Sequence, residues 1–180
     1  VEEDTLYIDA VEWALKNGIT EGTTDTTFSP IASCTRAQMV TFLWRAAGSP
    51  APKSSVMPFT DVAAGAYYHD AVLWAVENGI TAGATASTFN PGGKLTRTEL
   101  VTFMYRYAKY KGYDTTSGSL SAYKDADKVL SFAVDAWGWA VKNGIITGMT
   151  PTTLAPMNLT NRAQAAMIFQ RFDNAILIAG

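Results

Sequence analysis

The sequence has little of what metal centres and many catalytic sites are built from. A single cysteine, Cys34, and a single histidine, His69, occur in 180 residues. One cysteine cannot form an internal disulfide, and the two residues together fall short of the Cys/His set that holds structural zinc. No Ser/His/Asp set or Gly-rich phosphate loop stands out. We therefore expect no metal, no cofactor and no enzymatic activity.

Positive charge and long hydrophobic runs are also scarce. Lys and Arg total 14 against 16 Asp and Glu, whereas a protein that binds nucleic-acid phosphates usually carries an excess of basic residues. No apolar run approaches the roughly 20 residues that cross a bilayer. The first residues are acidic, where a signal peptide is basic. We expect neither nucleic-acid binding nor membrane insertion. We expect the chain to be either a cytosolic protein or the mature segment of a secreted one.

What the sequence does contain is an internal repeat. Trp13–Thr20 returns as Trp74–Thr81 and again as Trp139–Ile146, at offsets of 61 and then 65 residues. Repeats of this size indicate supersecondary units that share a core. The composition changes between copies predict repeat 1 at residues 1–48, repeat 2 at 59–111 and repeat 3 at 123–180, with linkers at 49–58 and 112–122.

Each copy has the pattern of a helix, a loop and a second helix. The first helix is predicted to end at an Asn-Gly pair, because glycine readily takes the left-handed conformation that closes a helix. Met39, Phe42 and Leu43 have the apolar spacing of a second helix with one buried face. A unit of this size buries little surface alone, so we expect the three copies to fold as one body. Periodicity leaves open whether they form a solenoid or close around a three-fold axis.

The start of each second helix carries a capping box. A Thr or Asn is followed three residues later by Gln or Glu, and such pairs satisfy the free N–H groups of a helix start reciprocally. We interpret these residues as structural caps: Thr35 with Gln38, Thr96 with Glu99, and Asn161 with Gln164.

An arginine follows each cap, and capping does not explain it. Arg36, Arg97 and Arg162 stand in the first turn, where the helix dipole opposes a cation. One explanation is a binding site in which the arginine and the helix N–H groups hold a carboxylate or phosphate. The other is an ion pair between each arginine and an acidic residue of a neighbouring copy.

Four elements now recur in one order: Phe-x-Asp (Phe59–Asp61, Tyr123–Asp125), Gly-Ile-x-x-Gly (Gly18–Gly22 and its copies), Phe-x-Pro and Thr-Arg-Ala-Glu/Gln. Together they resemble three tandem S-layer homology domains. The resemblance implies a mainly α fold, in which three helix-loop-helix repeats form a pseudo-three-fold body with a central three-helix bundle. It implies an extracellular module at the cell wall, which anchors a surface protein by binding an anionic, often pyruvylated, secondary cell-wall polysaccharide. The alternative is a protein-interaction or self-assembly module of a surface layer.

The resemblance also indicates which residues contact the polysaccharide. The motif arginines, the second glycine of each Gly-Ile-x-x-Gly turn and the aspartate of Phe-x-Asp correspond to ligand-binding positions. They are Arg36, Arg97, Arg162, Gly22, Gly83, Gly148, Asp61 and Asp125. Trp13, Trp74 and Trp139 are secondary candidates, since sugars stack on tryptophan, although a repeated tryptophan more often packs in a core.

The copies depart from the family pattern at several positions. Repeat 1 has no Phe-x-Asp element, because the offset places it before Val1, and this predicts a chain cut from a longer protein or a degenerate first copy. Repeat 3 has Asn161 where threonine is usual and Leu154 where phenylalanine is usual. We therefore expect the three binding grooves to differ in strength.

Overall fold

The computed structural model describes residues 2–178, with side chains for residues 7–175. This part of the chain is mainly helical and contains no regular strand, as expected. The α-helices are α1 (Glu2–Lys16), α2 (Arg36–Ala46), α3 (His69–Glu77), α4 (Arg97–Tyr110), α5 (Val134–Lys142) and α6 (Arg162–Ile178). Two short 3-10 turns, Ala126–Lys128 and Ser131–Ala133, precede α5.

The first helix of every repeat ends at its Asn-Gly pair. Gly18, Gly79 and Gly144 take left-handed φ angles of 67°, 68° and 66°. The preceding asparagine, for example Asn78, donates its side-chain N–H to the tryptophan carbonyl four residues earlier. This bond satisfies one of the carbonyls that a helix end leaves free. The predicted stop signal is thus confirmed.

The second helices α2, α4 and α6 begin with the predicted capping boxes. The N–H of Gln38 donates to Thr35 Oγ1 at 3.2 Å, and the Thr35 N–H donates to Gln38 Oε1 at 3.1 Å. The same reciprocal bonds join Thr96 with Glu99 and Asn161 with Gln164. Asn161 is therefore an equally competent cap.

The repeats close around a common axis instead of forming an open solenoid. The Leu95 N–H donates to the Cys34 carbonyl at 2.9 Å, Thr160 donates to Leu95 at 2.8 Å, and Cys34 donates to Thr160 at 2.8 Å. Three segments can form such a ring of bonds only if they surround one axis. Cys34 is fully buried there, and burial raises the pKa of its thiol to about 12, as suits a small core residue rather than a nucleophile.

The second helices form the central bundle. Backbones of α2 and α4 lie in contact, Phe42 of α2 packs edge-on against Phe169 of α6 at 6.1 Å, and Tyr107 of α4 lies 5.8 Å from Phe172 of α6. Each second helix also packs against a first helix of another repeat, in the pairs α2 with α3, α4 with α5 and α6 with α1. The core is therefore shared between repeats.

Candidate functional site: three grooves between repeats

The motif arginines reach from the start of one central helix to the loop of the next repeat. The Nε atom of Arg36 donates to the Phe89 carbonyl at 2.8 Å, and Arg97 Nε donates to Leu154 at 3.0 Å. Arg162 Nε donates to the Phe28 carbonyl at 2.8 Å and closes the cycle. All three arginines are buried. Each therefore joins two repeats, whatever else it contacts.

The remaining guanidinium nitrogens differ between the copies. Arg36 Nη1 forms an ion pair with Glu99 at 3.1 Å, whereas Arg97 Nη2 donates to the Thr147 carbonyl at 2.6 Å. Arg162 is 2% exposed, and its Nη2 has no hydrogen-bond partner among the described residues. The inter-repeat ion pair considered from the sequence thus forms at Arg36. Arg162 keeps an unused buried donor.

The helix N–H groups that the anion-site explanation invoked are already bonded within the protein. The Arg36 N–H donates to the Gly93 carbonyl at 2.9 Å, and the Ala37 N–H donates to the Pro91 carbonyl at 3.0 Å. The first two N–H groups of α4, and those of α6, likewise donate to carbonyls in the loop of the next repeat around the ring. Ring closure uses these donors, so only the side chains remain available to a ligand.

Asp61 and Asp125 hold the Phe-x-Pro turns. Asp61 accepts the N–H groups of Phe89 and Asn90, both at 2.8 Å, and Asp125 accepts those of Leu154 and Ala155. The middle residues of these turns take left-handed φ angles, which are unusual without glycine. The hydrogen bond from Leu154 is the main reason that the pKa of Asp125 lies below its ordinary value. The structure thus gives both aspartates a clear supporting role.

The three motif glycines lie where the loop backbone folds tightly on itself. Gly22 and Gly83 have φ angles of 91° and 90°. A Cβ atom at either position would come within 2.6 Å of a loop carbonyl, as it would at Gly148. No side chain fits these positions without moving the backbone, so the loop conformation requires glycine there.

Three equivalent grooves result, each lined by a motif arginine of one repeat and the glycine loop of the next. Groove A contains Arg162 and Gly22 in about 320 Å³. Groove B contains Arg36 and Gly83 in about 390 Å³. Groove C contains Arg97 and Gly148 in about 460 Å³. Gln38, Glu99 and Gln164 of the capping boxes also line grooves A, B and C, respectively.

Every groove contains a second arginine, which sequence reasoning missed. Arg45 lines groove A, Arg106 groove B and Arg171 groove C. Each stands nine residues after a motif arginine. Nine residues span two and a half helical turns and place the second arginine on the opposite side of the helix. The two arginines of one helix therefore face two different grooves. The second arginines recur at the repeat offsets of 61 and 65 residues, and this recurrence is the sequence signal that could have identified them.

The paired guanidinium groups repel each other in grooves B and C. Burial, together with the charge of Arg36, lowers the pKa of Arg106. Burial, together with the charge of Arg171, likewise lowers the pKa of Arg97. A bound anion reduces the repulsion between two like charges in a partly buried cleft. The geometry therefore favours an acidic ligand.

An aromatic side chain from the third repeat completes each groove. Tyr67 of repeat 2 lines groove A, Phe132 of repeat 3 lines groove B, and Tyr7 of repeat 1 lines groove C. Tyr67 and Phe132 occupy equivalent positions and are well exposed. An exposed ring beside cationic donors offers a stacking surface for the apolar face of a sugar.

Two of the three candidate tryptophans are in the core. Trp74 and Trp139 are 2% and 0% exposed and pack against aromatic residues of the central helices. Neither indole can stack on a sugar without repacking, which corrects their inclusion among the ligand-binding residues. Trp13 differs, because it is only partly buried and lines a cavity.

The grooves differ in their acidic residues. Glu21 lines groove A and pairs with Arg45, and Glu99 lines groove B and pairs with Arg36. Among the described side chains, no carboxylate lines groove C. Among the described residues, groove C thus lacks the ion pair that engages one arginine in each of the other two grooves.

Neither a metal cluster nor a membrane-spanning helix occurs in the part of the chain that the structure describes. Between residues 2 and 178, no cluster of three or more His, Cys, Asp or Glu side chains has the arrangement of a metal site. In the same part of the chain, no helix combines the length and hydrophobicity needed to cross a bilayer.

The chain belongs to the S-layer homology domain family. The family model matches three tandem segments, residues 4–40, 58–101 and 122–166, which confirms the resemblance seen in the motifs. The matched segments contain the motif arginines and loop glycines that line the grooves.

Similar proteins carry this module within much longer chains. The chain is 32% identical over 166 residues to the surface-layer 125 kDa protein of Lysinibacillus sphaericus, covering 91% of the chain and 14% of that protein. It is 27% identical over 167 residues to the exoglucanase XynX of Acetivibrio thermocellus, covering 92% of the chain and 15% of the enzyme. The S-layer protein of Bacillus thuringiensis subsp. finitimus is 25% identical over 96% of the chain, which spans 21% of that relative.

These matches place the chain at the bacterial cell surface. They support a role in anchoring to the cell wall. The enzyme relative is several times longer than the aligned region, so its name does not bear on the chemistry of the segment described here.

Proposed function

We propose that the chain anchors a surface protein non-covalently by binding an acidic secondary cell-wall polysaccharide in grooves A, B and C. The observation that carries this proposal is the arginine pair in each groove, contributed by two different repeats. Two converging guanidinium groups bind a carboxylate with directed, charge-assisted hydrogen bonds. The adjacent aromatic ring suits a sugar rather than a free small anion.

A pyruvate ketal on a sugar ring fits this arrangement. It carries one carboxylate on a compact bicyclic unit, so the charge lies close to an apolar face. In our proposal the carboxylate contacts the arginine pair, and the sugar lies between the glycine loop and the aromatic ring. Because Gly22, Gly83 and Gly148 carry no side chains, the sugar ring can approach the loop backbone closely.

Groove C is expected to bind most tightly. It is the largest of the three grooves, and no described carboxylate lines it. In groove B, the ligand must compete with Glu99 for Arg36. In groove A, Arg162 offers a free Nη2, but Arg45 is engaged by Glu21 at 2.6 Å.

Co-sedimentation with purified cell-wall sacculi tests the proposal. The intact chain should sediment with native sacculi and remain in solution with sacculi whose polysaccharide has been stripped by mild acid. A pyruvylated disaccharide added in excess should release the bound chain. Equal retention by native and stripped sacculi would contradict glycan anchoring.

One observation favours a second candidate, docking to another surface-layer protein. Ile31 and Met157 occupy equivalent loop positions in repeats 1 and 3 and are 88% and 56% exposed. Leu159, two residues further, is 51% exposed. Binding of the chain to isolated surface-layer protein, with no binding to sacculi, would favour this candidate.

A further inference from the structure

The three tryptophans of the repeats do not have equivalent surroundings. Position 107 in repeat 2 and position 172 in repeat 3 are aromatic, and each ring packs on the tryptophan of its own repeat. The ring centres lie 6.4 Å apart for Trp74 and Tyr107, and 6.0 Å apart for Trp139 and Phe172. The equivalent position in repeat 1 is Ala46. Trp13 therefore lacks the aromatic partner that covers the other two.

The missing side chain leaves a cavity of about 270 Å³ beside Trp13, at the carboxyl ends of the central helices. Aromatic side chains form part of its wall, and Tyr107 and Phe172 line it together with Trp13 and Ala46. Polar groups are placed around them, namely Asn17, Lys111 and Asp173. Neither Lys111 nor Asp173 forms a salt bridge among the described residues.

The cavity adjoins groove A. Arg45 lines both, and the chain passes directly from Ile19, which lines the cavity, to Thr20, which lines groove A. A chain of sugars seated on Arg162 and Arg45 in groove A can therefore continue past Arg45 into the cavity. Grooves B and C lack a tryptophan-lined extension, because Tyr107 and Phe172 cover Trp74 and Trp139. The cavity that shares Thr81 and Arg106 with groove B is lined by Phe59 and contains no tryptophan.

We propose that the cavity beside Trp13 is an additional subsite, which takes one further sugar ring of the polysaccharide bound in groove A. The proposal rests on the proposed function. The indole offers an apolar surface to the C–H face of a pyranose, and the surrounding amide, ammonium and carboxylate groups match its hydroxyls. The volume lies just below the range of drug-sized ligand sites, about 300 to 1,000 Å³, and suits a single ring.

The variant Ala46→Phe tests the subsite by giving repeat 1 the aromatic residue that repeats 2 and 3 already have. It fills the cavity, and residue 46 does not line groove A. The background should carry Arg106→Gln and Arg171→Gln, so that grooves B and C are weakened and groove A dominates. Two probes are compared by calorimetry: a pyruvylated disaccharide and a hexasaccharide released from the same polysaccharide.

The background protein should bind the hexasaccharide roughly two- to tenfold more tightly than the disaccharide. Ala46→Phe should remove this difference in affinity. Disaccharide affinity should not change. Trp13→Leu, which enlarges the cavity and removes the stacking surface, should have the same selective effect, so a folding defect in either variant leaves the other to decide. The Trp13 indole N–H signal in NMR spectra should shift with the hexasaccharide alone.

Two outcomes separate the subsite from the proposed function. Unchanged hexasaccharide affinity in both variants, with disaccharide binding intact, would overturn the subsite and leave groove binding standing. If the parent chain binds neither probe, the proposed function fails, and the subsite fails with it.

Discussion

At the scale of single residues, the motif arginines combine two roles. Arg97 is buried, donates to the carbonyls of Leu154 and Thr147, and lies over the Trp137 ring. Replacing it removes contacts between repeats 2 and 3 as well as a charge in groove C. A loss of binding in such a variant would therefore not distinguish the two roles. The second arginines are more exposed and give a cleaner test.

Arg171→Gln should weaken binding in groove C without unfolding the chain. Loss of a charge-assisted hydrogen-bond pair is worth about 1.5 to 3 kcal/mol, or roughly a ten- to hundredfold loss of affinity. Isothermal titration with a pyruvylated disaccharide measures the change, and a melting curve checks the fold.

The matched control is Lys16→Gln, which removes the same charge from an exposed position in the last turn of α1, outside the three grooves. It should leave the affinity unchanged. Equal losses in both variants would show a general charge effect and would contradict a specific role for Arg171.

Acid should lower the stability of the folded chain, because aspartate carboxylates hold the Phe-x-Pro turns. The pKa of Asp125 is lowered in the folded chain, so its ionised form stabilises the fold at neutral pH. This contribution is present above the unfolded pKa of about 3.9 and is lost as the pH falls through the lower folded value. The urea concentration at the unfolding midpoint, measured from pH 7 to pH 2.5, should decrease once the pH is below about 4. The midpoint of Asp125→Asn should decrease less steeply. Parallel curves for the two proteins would exclude this role.

At the scale of elements, the helix ends explain why the loops are well defined. The central helices begin with side-chain caps, and their next N–H groups donate to the loop of the following repeat. Each loop is thereby held by the helix start of its neighbour. The caps are local, whereas the bonds to the loop exist only in the closed assembly.

Thr96→Ala should destabilise the chain by about 1 kcal/mol, because the Glu99 N–H at the start of α4 loses its acceptor, Thr96 Oγ1. Thr96→Asn is the matched control, since Asn161 already fills this role in repeat 3. Free energies of unfolding from urea titrations measure both variants. A loss in Thr96→Asn as large as that in Thr96→Ala would contradict the capping interpretation.

At the scale of the whole molecule, the packing makes each repeat depend on the other two. The first helix of one repeat lies against the second helix of the repeat before it, and α1 packs against α6 to close the ring. Every groove likewise takes side chains from all three repeats. Binding and folding are therefore properties of the complete set.

A fragment of residues 63–111 should not fold alone. It contains α3 and α4, whose principal helix partners α2 and α5 lie outside it. Circular dichroism during urea titration should show weak helicity and no cooperative transition, while the intact chain unfolds cooperatively. A cooperative transition at a midpoint close to that of the intact chain would contradict the shared core.

Local patterns in the sequence determined the repeat, the helix stops at Asn-Gly and the capping boxes. Each depends on residues within a few positions of one another, so a single chain segment carries the whole signal. Phe89 and Leu154, each two residues before a proline, are buried in the core. The boundaries at 1–48, 59–111 and 123–180 stay a prediction, as do the individual ligand contacts.

Only the tertiary structure decided how the repeats meet. Periodicity is the same for a solenoid and a closed ring, and closure depends on hydrogen bonds between residues as distant as Cys34 and Thr160. Closure uses the helix N–H groups, and it brings Arg106 to Arg36 and Arg171 to Arg97. The arginines of each pair come from different repeats, so their pairing depends on the packing of whole helices, which a local pattern does not encode.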